Sequence, residues 1–355
     1  MLQDRISSAR GYLERYACDV LLFIDLNNIR YLTGFTGSDG AFVLAGNRGC
    51  FLTDSRYVTQ AAGEVTAFET AEYRVKLDGI CEALKKIGAR KVGFAADHTT
   101  VAQLTSLAAA LPELEFKPIG TDLDDLRIIK EQGEVELLDR CAEIASLALL
   151  ATLDRIRPGA VERDVALSLE FAMRESGADD KSFDFIVASG VRGALPHGKA
   201  SSKQICAGEL VTLDFGAVYR GYHSDETVTV SLGRPNDRQR EIYSIVKDAH
   251  DRALEAVRPG VSCRDLDGIA RGYIDSKGYG GFFGHGLGHG VGLEVHERPV
   301  ISPRSDSVLE EGMVCTIEPG IYIPDWGGVR IEDTVLVTGC GCRVLTRVSK
   351  DLLIL

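Results

Sequence analysis

The sequence has no excess of basic residues, no long apolar run and no recognisable cysteine framework, and each absence narrows the field. Lys and Arg total 40 against 52 Asp and Glu, a net charge of −12. Such a chain repels nucleic-acid phosphates and disfavours an anionic membrane surface. No run approaches the roughly 18 apolar residues that read as a membrane span. The N-terminus, Met1 to Arg10, lacks the apolar stretch of a secretory signal. The nine cysteines are odd in number and scattered from Cys18 to Cys342. Only Cys340 and Cys342 are close, at a spacing that fits no zinc knuckle. Reduced, mostly buried thiols in a cytoplasmic protein are the expectation. Histidine is also scarce, with seven in 355 residues. What remains is ordinary: 45% hydrophobic and 26% charged residues, in a chain long enough for two domains.

Three of the seven histidines fall in one stretch, Phe283 to Glu297, as His285, His289 and His296, with glycine on both sides of the first two. Glycine lets the backbone approach closely whatever an adjacent imidazole faces, and imidazole is a frequent metal ligand and acid/base group. A merely flexible glycine-rich loop is the bland alternative. A phosphate-cradling loop fits less well, because Gly284 and Gly286 open no strand-to-helix turn and the histidines would go unexplained.

The N-terminal third reads as a small α/β domain. Apolar spacing predicts a helix over residues 2–17, then short β-like runs at Val20–Ile24, Ile29–Leu32, Ala41–Leu44 and Cys50–Thr53, punctuated by glycine turns. Helix and strand then alternate: Leu77–Ile87, Lys91–Ala95, Thr100–Leu111 and Leu114–Pro118. The domain is expected to end at residue 124, and Asp122–Glu136 to run into a long helix. His98, the only histidine here, is expected at a surface or helix start.

The C-terminal two-thirds carries an internal duplication. Arg157-Pro-Gly-Ala-Val-Glu-Arg-Asp164 matches Arg258-Pro-Gly-Val-Ser-Cys-Arg-Asp265, 101 residues on; Gly208–Gly216 matches Gly312–Gly320, 104 on; and Asp225–Val228 matches Glu332–Val335, 107 on. Each half is expected to fold as two helices, a glycine-turn region and a β-hairpin. In each half an apolar strand ends in an acid, Asp214 or Glu318, and its partner opens with another, Asp225 or Glu332. Burying a carboxylate at a strand end is costly unless it is paired or cation-bound. Four such acids converging across a pseudo-twofold axis would repel one another, and divalent cations resolve the conflict.

With His289 between two glycines, Thr-Ile-Glu318-Pro-Gly and Arg-Ile-Glu332-Asp, these residues resemble the two-metal "pita-bread" metallopeptidases, which include methionine aminopeptidase, Xaa-Pro aminopeptidase and prolidase. The resemblance covers about residues 125–355. The N-terminal region resembles the creatinase-type domain that methionine aminopeptidases lack. The resemblance implies an α+β fold: a duplicated pita-bread catalytic domain over residues 125–355, preceded by a smaller ribonuclease H-like α/β domain over 1–124. It implies two divalent metal ions, manganese foremost with cobalt, zinc or iron as alternatives, held by Asp214, Asp225, His289, Glu318 and Glu332. The implied reaction is attack by a metal-bridging hydroxide on the bond between an N-terminal residue and proline. Glu318 would move the proton, His296 would stabilise the oxyanion, and His197 and His285 would line the site near the proline. Arg330 would orient a ligand carboxylate or the substrate. Arg304 is a weaker carboxylate-binding choice, with a surface role an equal alternative, and Phe183, Phe185 and Tyr222 could wall a proline ring, although core packing is the expectation for any one of them. A homodimer is implied as well. Xaa-Pro aminopeptidase and Xaa-Pro dipeptidase both remain open; the run Thr33–Gly40 tilts the reading toward the aminopeptidase. The metal-free creatinase and binding-only relatives have lost ligands that this chain retains.

Overall fold

A computed structural model describes residues 2–355. The described chain divides into two units, Met1–Arg127 and Ile128–Leu355. The first contains α1 (Leu2–Arg15), β1 (Val20–Phe23), α2 (Leu26–Thr33), β2 (Ala41–Ala45), β3 (Arg48–Thr53), α3 (Val58–Glu64), β4 (Glu69–Glu72), α4 (Lys76–Ile87), β5 (Lys91–Ala95), α5 (Val101–Ala110) and β6 (Glu115–Ile119). Its sheet runs β4-β3-β2-β1-β5-β6. The first three strands form an antiparallel meander, and β5 and β6 extend it in parallel from β1. This is the ribonuclease H-like order.

One expectation fails here. Ile29–Leu32 is helical, not extended. Asp25 caps the helix by accepting from the Asn28 amide, and Gly34 ends it with φ of 81°. These two caps outweigh the β preference of a short apolar run. The helix α3 and strand β4 also lacked a readable signal; β4 is largely exposed and built from Glu, Thr and Ala. His98 sits in the turn just before the Thr100 cap of α5, in keeping with a helix-start position, part-buried against Asp124 with Nε2 3.0 Å from Oδ2.

The second unit realises the duplication. Its first half contains α6 (Gln132–Thr152), α7 (Glu162–Glu175), β7 (Asp180–Lys181), β8 (Ile186–Ser189), β9 (Leu210–Phe215), β10 (Ala217–Tyr219), β11 (Tyr222–His223) and β12 (Glu226–Ser231). The second half contains α8 (Asp237–Ala256), α9 (Cys263–Ser276), β13 (Gly288–Gly290), β14 (Glu297–Ile301), β15 (Val314–Ile317), β16 (Gly320–Ile323), β17 (Gly327–Arg330), β18 (Asp333–Thr338) and β19 (Gly341–Val344). The matched Arg-Pro-Gly turns both place glycine in the left-handed region, Gly159 at φ 84° and Gly260 at φ 86°.

Each half buries its own helix pair on its own hairpin. In the first, Ile144, Leu149, Leu169 and Met173 pack on Val211, Leu213, Phe215 and Val228. In the second, Ile242, Val246, Leu266 and Ile274 pack on Cys315, Ile317, Val329 and Val335. Strand side chains alternate between faces. The residues between these core positions, Thr212 and Asp214, Thr227 and Thr229, Thr316 and Thr334, therefore point to the opposite face. Fold and site thus come from one pattern: apolar residues toward the helices, acids and threonines toward the seam between the halves.

Candidate metal centre

Asp214 lies within β9, paired with Thr227 of β12. Asp225 and Glu332 immediately precede β12 and β18, and Glu318 immediately follows β15. His289 is the middle residue of β13, which pairs with β14 on one side and β15 on the other. Its flanking glycines are required by that squeeze. A Cβ at Gly288 would lie 2.0 Å from Thr316 O, and one at Gly290 would lie 2.1 Å from Arg298 O. The close approach is thus to neighbouring strands, and it is what brings the imidazole to the acids.

Asp225, His289 and Glu332 each offer a ligand atom, all within 4.8 Å of one another. His289 Nε2 is 3.6 Å from Asp225 Oδ2 and 3.3 Å from Glu318 Oε1. Its Nδ1 lies 3.0 Å from Gly290 O, so Nδ1–H donates there and Nε2 faces the carboxylates as a lone pair, the orientation a metal ligand needs. Burial holds the His289 pKa below its usual value and so favours this neutral form.

The acids are under strain of charge. Burial, then the neighbouring Glu332, Asp214 and Glu318, push Asp225 well above the carboxylate range. Burial, then Glu318 and Asp214, do the same to Glu332. Burial is also the first cause that raises Glu318 to about 7, with Arg330 opposing and Asp214 adding to the rise. Two buried carboxylate oxygens, Asp214 Oδ1 and Glu332 Oε1, have no hydrogen-bond partner. Orphaned oxygens beside an aimed imidazole, among too many buried acids, are the donor set of a hard or borderline divalent cation. The residues fit the ions that the sequence implied.

Around the acids the other named residues take distinct places. Arg330, fully buried at the end of β17, donates from Nη2 to Asp214 Oδ2 at 2.6 Å and from Nη1 to Tyr322 OH and Pro196 O. His285 Nε2 sits 2.8 Å from Tyr322 OH and Nδ1 2.7 Å from Gly286 O. Burial lowers the His285 pKa to about 4, so the ring is neutral, donating to Gly286 O and accepting from Tyr322. The His296 ring lies 4.3 Å from that of His289. Its loop is anchored by Glu297, which accepts from Lys130 Nζ at 2.9 Å and from the Glu294 amide at 3.2 Å. His197 is exposed on the loop after β8, near enough to count among the smaller electrostatic influences on His285, His296 and Glu318.

Arg304 is exposed in the segment between β14 and β15, in keeping with its surface alternative. Tyr222 is buried with its hydroxyl donating to Glu134 at 2.8 Å, and Phe185 belongs to the first half's core, the packing role expected of both. Tyr322, which joins Arg330 to His285, was missed. The duplication held a signal for it: 104 residues earlier stands Val218, so the hydroxyl appears in one half only, where the halves diverge in task.

Comparison with known proteins agrees with this arrangement. The model of metallopeptidase family M24 matches residues 136–339, and that of the creatinase/prolidase N-terminal domain matches residues 5–129. The chain belongs to metallopeptidase family M24. It is 43% identical to a solved Xaa-Pro dipeptidase from Bacillus anthracis, with all of both chains covered and a TM-score of 0.98. It is 41% identical to the Xaa-Pro dipeptidase of Pyrococcus furiosus over 99% of this chain and all of that one. An X-Pro aminopeptidase from Thermotoga maritima is 38% identical, with 99% of each chain covered and a TM-score of 0.91. This M24 protein is therefore a metal-dependent peptidase with a pita-bread catalytic unit and a creatinase-type N-terminal unit. Among its described residues no helix is long and apolar enough to cross a membrane.

Proposed function

We propose that this M24 metallopeptidase is an Xaa-Pro dipeptidase, hydrolysing the bond between an N-terminal residue and a following proline. The observation that carries the reading is the full-length similarity to proteins named Xaa-Pro dipeptidase at 43% and 41% identity, joined to a complete acid-and-histidine site. The Thr33–Gly40 run that tilted the sequence reading toward an aminopeptidase is outweighed by these relatives. The Thermotoga similarity keeps Xaa-Pro aminopeptidase as the second reading.

In this proposal Asp214, Asp225, His289, Glu318 and Glu332 hold two divalent ions, manganese foremost. When bound, such ions polarise a carbonyl and bring the pKa of water toward neutrality. Glu318 takes the proton of the attacking water and delivers it to the proline nitrogen as the bond breaks, the work of a carboxylate acting first as general base and then as general acid. His296, on the loop that Glu297 and Lys130 fix, donates to the oxygen where negative charge develops. Arg330 holds Asp214 in place through its hydrogen bond to Oδ2. His285, neutral and locked by Tyr322, presents an uncharged wall suited to a proline ring, and His197 meets the substrate from the rim. The protein is expected to act as a homodimer.

The deciding experiment compares Xaa-Pro with Xaa-Pro-Yaa after chelation and Mn²⁺ add-back. Turnover confined to the dipeptide, and lost in Glu318→Ala, is expected. Turnover of the tripeptide makes the protein an aminopeptidase, and turnover of neither removes the proline-specific reading.

A further inference from the structure

The acids on either side of the duplicated hairpins come in pairs. Asp225 is followed by Glu226, and Glu332 by Asp333. Strand alternation sends the second acid of each pair away from the metal centre, to the helix-covered face. Both are buried there, Glu226 completely. A lone buried carboxylate is costly, and here one cation serves both. Lys350 Nζ lies 2.6 Å from Glu226 Oε1 and 3.4 Å from Asp333 Oδ1, and its own side chain is 6% exposed.

The segment around Lys350 completes the clasp. Val348 N donates to Glu226 Oε1 at 3.1 Å, and Ser146 Oγ to Glu226 Oε2 at 2.8 Å. Thr346 Oγ1 donates to Asp333 Oδ1. His250 Nε2 stands 3.2 Å from Asp333 Oδ2, off the direction a hydrogen bond needs, and its Nδ1 faces Asp251. The Lys350 carbonyl accepts from Tyr243 OH at 2.9 Å, which fixes the backbone that carries the ammonium.

We infer that Lys350 is a positioning residue of the metal centre: by gripping Glu226 and Asp333 from behind, it sets the mutual placement of β12 and β18 and so of Asp225 and Glu332 in front. The argument is mechanical. Each gripped acid is the immediate chain neighbour of a metal-facing acid, so a shift of either strand moves both. The front face supplies ties of its own, Thr334 Oγ1 to Asp225 O at 2.7 Å and Arg330 Nη2 to Asp214 Oδ2 at 2.6 Å, but Arg330 grips β9, whereas Lys350 grips the acids that open β12 and β18. A group bonded directly to a metal ligand typically changes metal affinity by about 10- to 100-fold, and Lys350, acting one step further back, is expected at the low end of that range.

The inference rests on the ligand assignment proposed above, and the test separates the two. Metal-free full-length protein is titrated with Co²⁺ alone, following the isotherm and the visible spectrum, for wild type, Lys350→Met, Lys350→Arg and the uncharged triple variant Glu226→Gln/Asp333→Asn/Lys350→Met. Wild type that binds no cobalt overturns the ligand assignment. With wild type binding, the expected result is an affinity loss of about tenfold or more in Lys350→Met with an altered spectrum, and partial recovery in Lys350→Arg. The triple variant carries no buried charge in this cluster beyond the His250 site; it keeps the measurement available if Lys350→Met does not fold, and is expected to bind as weakly. An unchanged isotherm and spectrum in a folded Lys350→Met or triple variant, whatever its thermal stability, overturns the inference.

Discussion

Thr227 of the first half donates its hydroxyl to Glu332 Oε2 of the second at 2.6 Å, while the Glu332 amide donates to Thr227 O at 3.1 Å. One half of the duplication thus holds a metal-facing acid of the other. Only one oxygen of Glu332 is satisfied by protein, and the second is left for an ion.

Thr227→Val keeps the shape and removes the donor. Glu332 then has no side-chain partner, and the cost of an unsatisfied buried polar group is about 1–3 kcal/mol. Denaturant unfolding of the metal-free protein is expected to show that loss, and cobalt titration a weaker site. Thr227→Ser is expected to retain most of both.

Tyr322→Phe deletes the hydroxyl that joins His285 Nε2 at 2.8 Å and Arg330 Nη1 at 2.9 Å. Both partners stay buried, so a stability loss of about 1–3 kcal/mol is expected. Because Arg330 also holds Asp214, activity is expected to fall about 10- to 100-fold, mainly in kcat. Steady-state kinetics beside thermal unfolding check the two effects separately.

His285 gives a pH prediction with a definite sign. Its folded pKa of about 4 lies below the ordinary 6.5 because burial disfavours the charged ring. Between those values the unfolded chain binds the proton and the folded chain does not. The contribution of His285 to stability therefore falls as pH drops from about 6.5 toward about 4, by no more than about 3 kcal/mol. Unfolding curves of wild type and His285→Asn, taken across that range, are expected to diverge at the acid end, with the variant less sensitive.

Metal removal is expected to lower stability as well as abolish turnover. An ion that binds only the folded chain adds about 2.7 kcal/mol when present at 100 times its Kd. Scanning calorimetry with and without Mn²⁺ is expected to show a melting temperature that rises with ion concentration. Substituting Asp225 by Asn is expected to remove most of that dependence.

The parts of this structure legible in the sequence are those written twice or written in strong local chemistry. The duplication marked the strand ends that carry Asp214, Asp225, Glu318 and Glu332, and the Gly-His-Gly pattern marked the crowded strand of His289. What escaped depended on contacts distant in the chain. Ile29–Leu32 looks extended until Asp25 and Gly34 are seen as caps. Tyr322 has no local pattern of its own, and its meaning comes from His285, 37 residues away in sequence. Lys350 reads as a surface lysine until Glu226 and Asp333 are brought to it. The proline side of the substrate pocket was the least legible: aromatic type alone offered Tyr222 and Phe185 as walls, and the core packing expected of them is what the structure bears out.

Each half of the catalytic unit packs its helices into an apolar core, yet neither carries all five of the proposed ligands. Asp214 and Asp225 come from one half; His289, Glu318 and Glu332 come from the other. A newly made chain can therefore bury its helices on both hairpins and still be unable to grip an ion until the two halves have closed on each other. Cobalt colour appearing during refolding would therefore report the meeting of the two halves rather than the formation of either core.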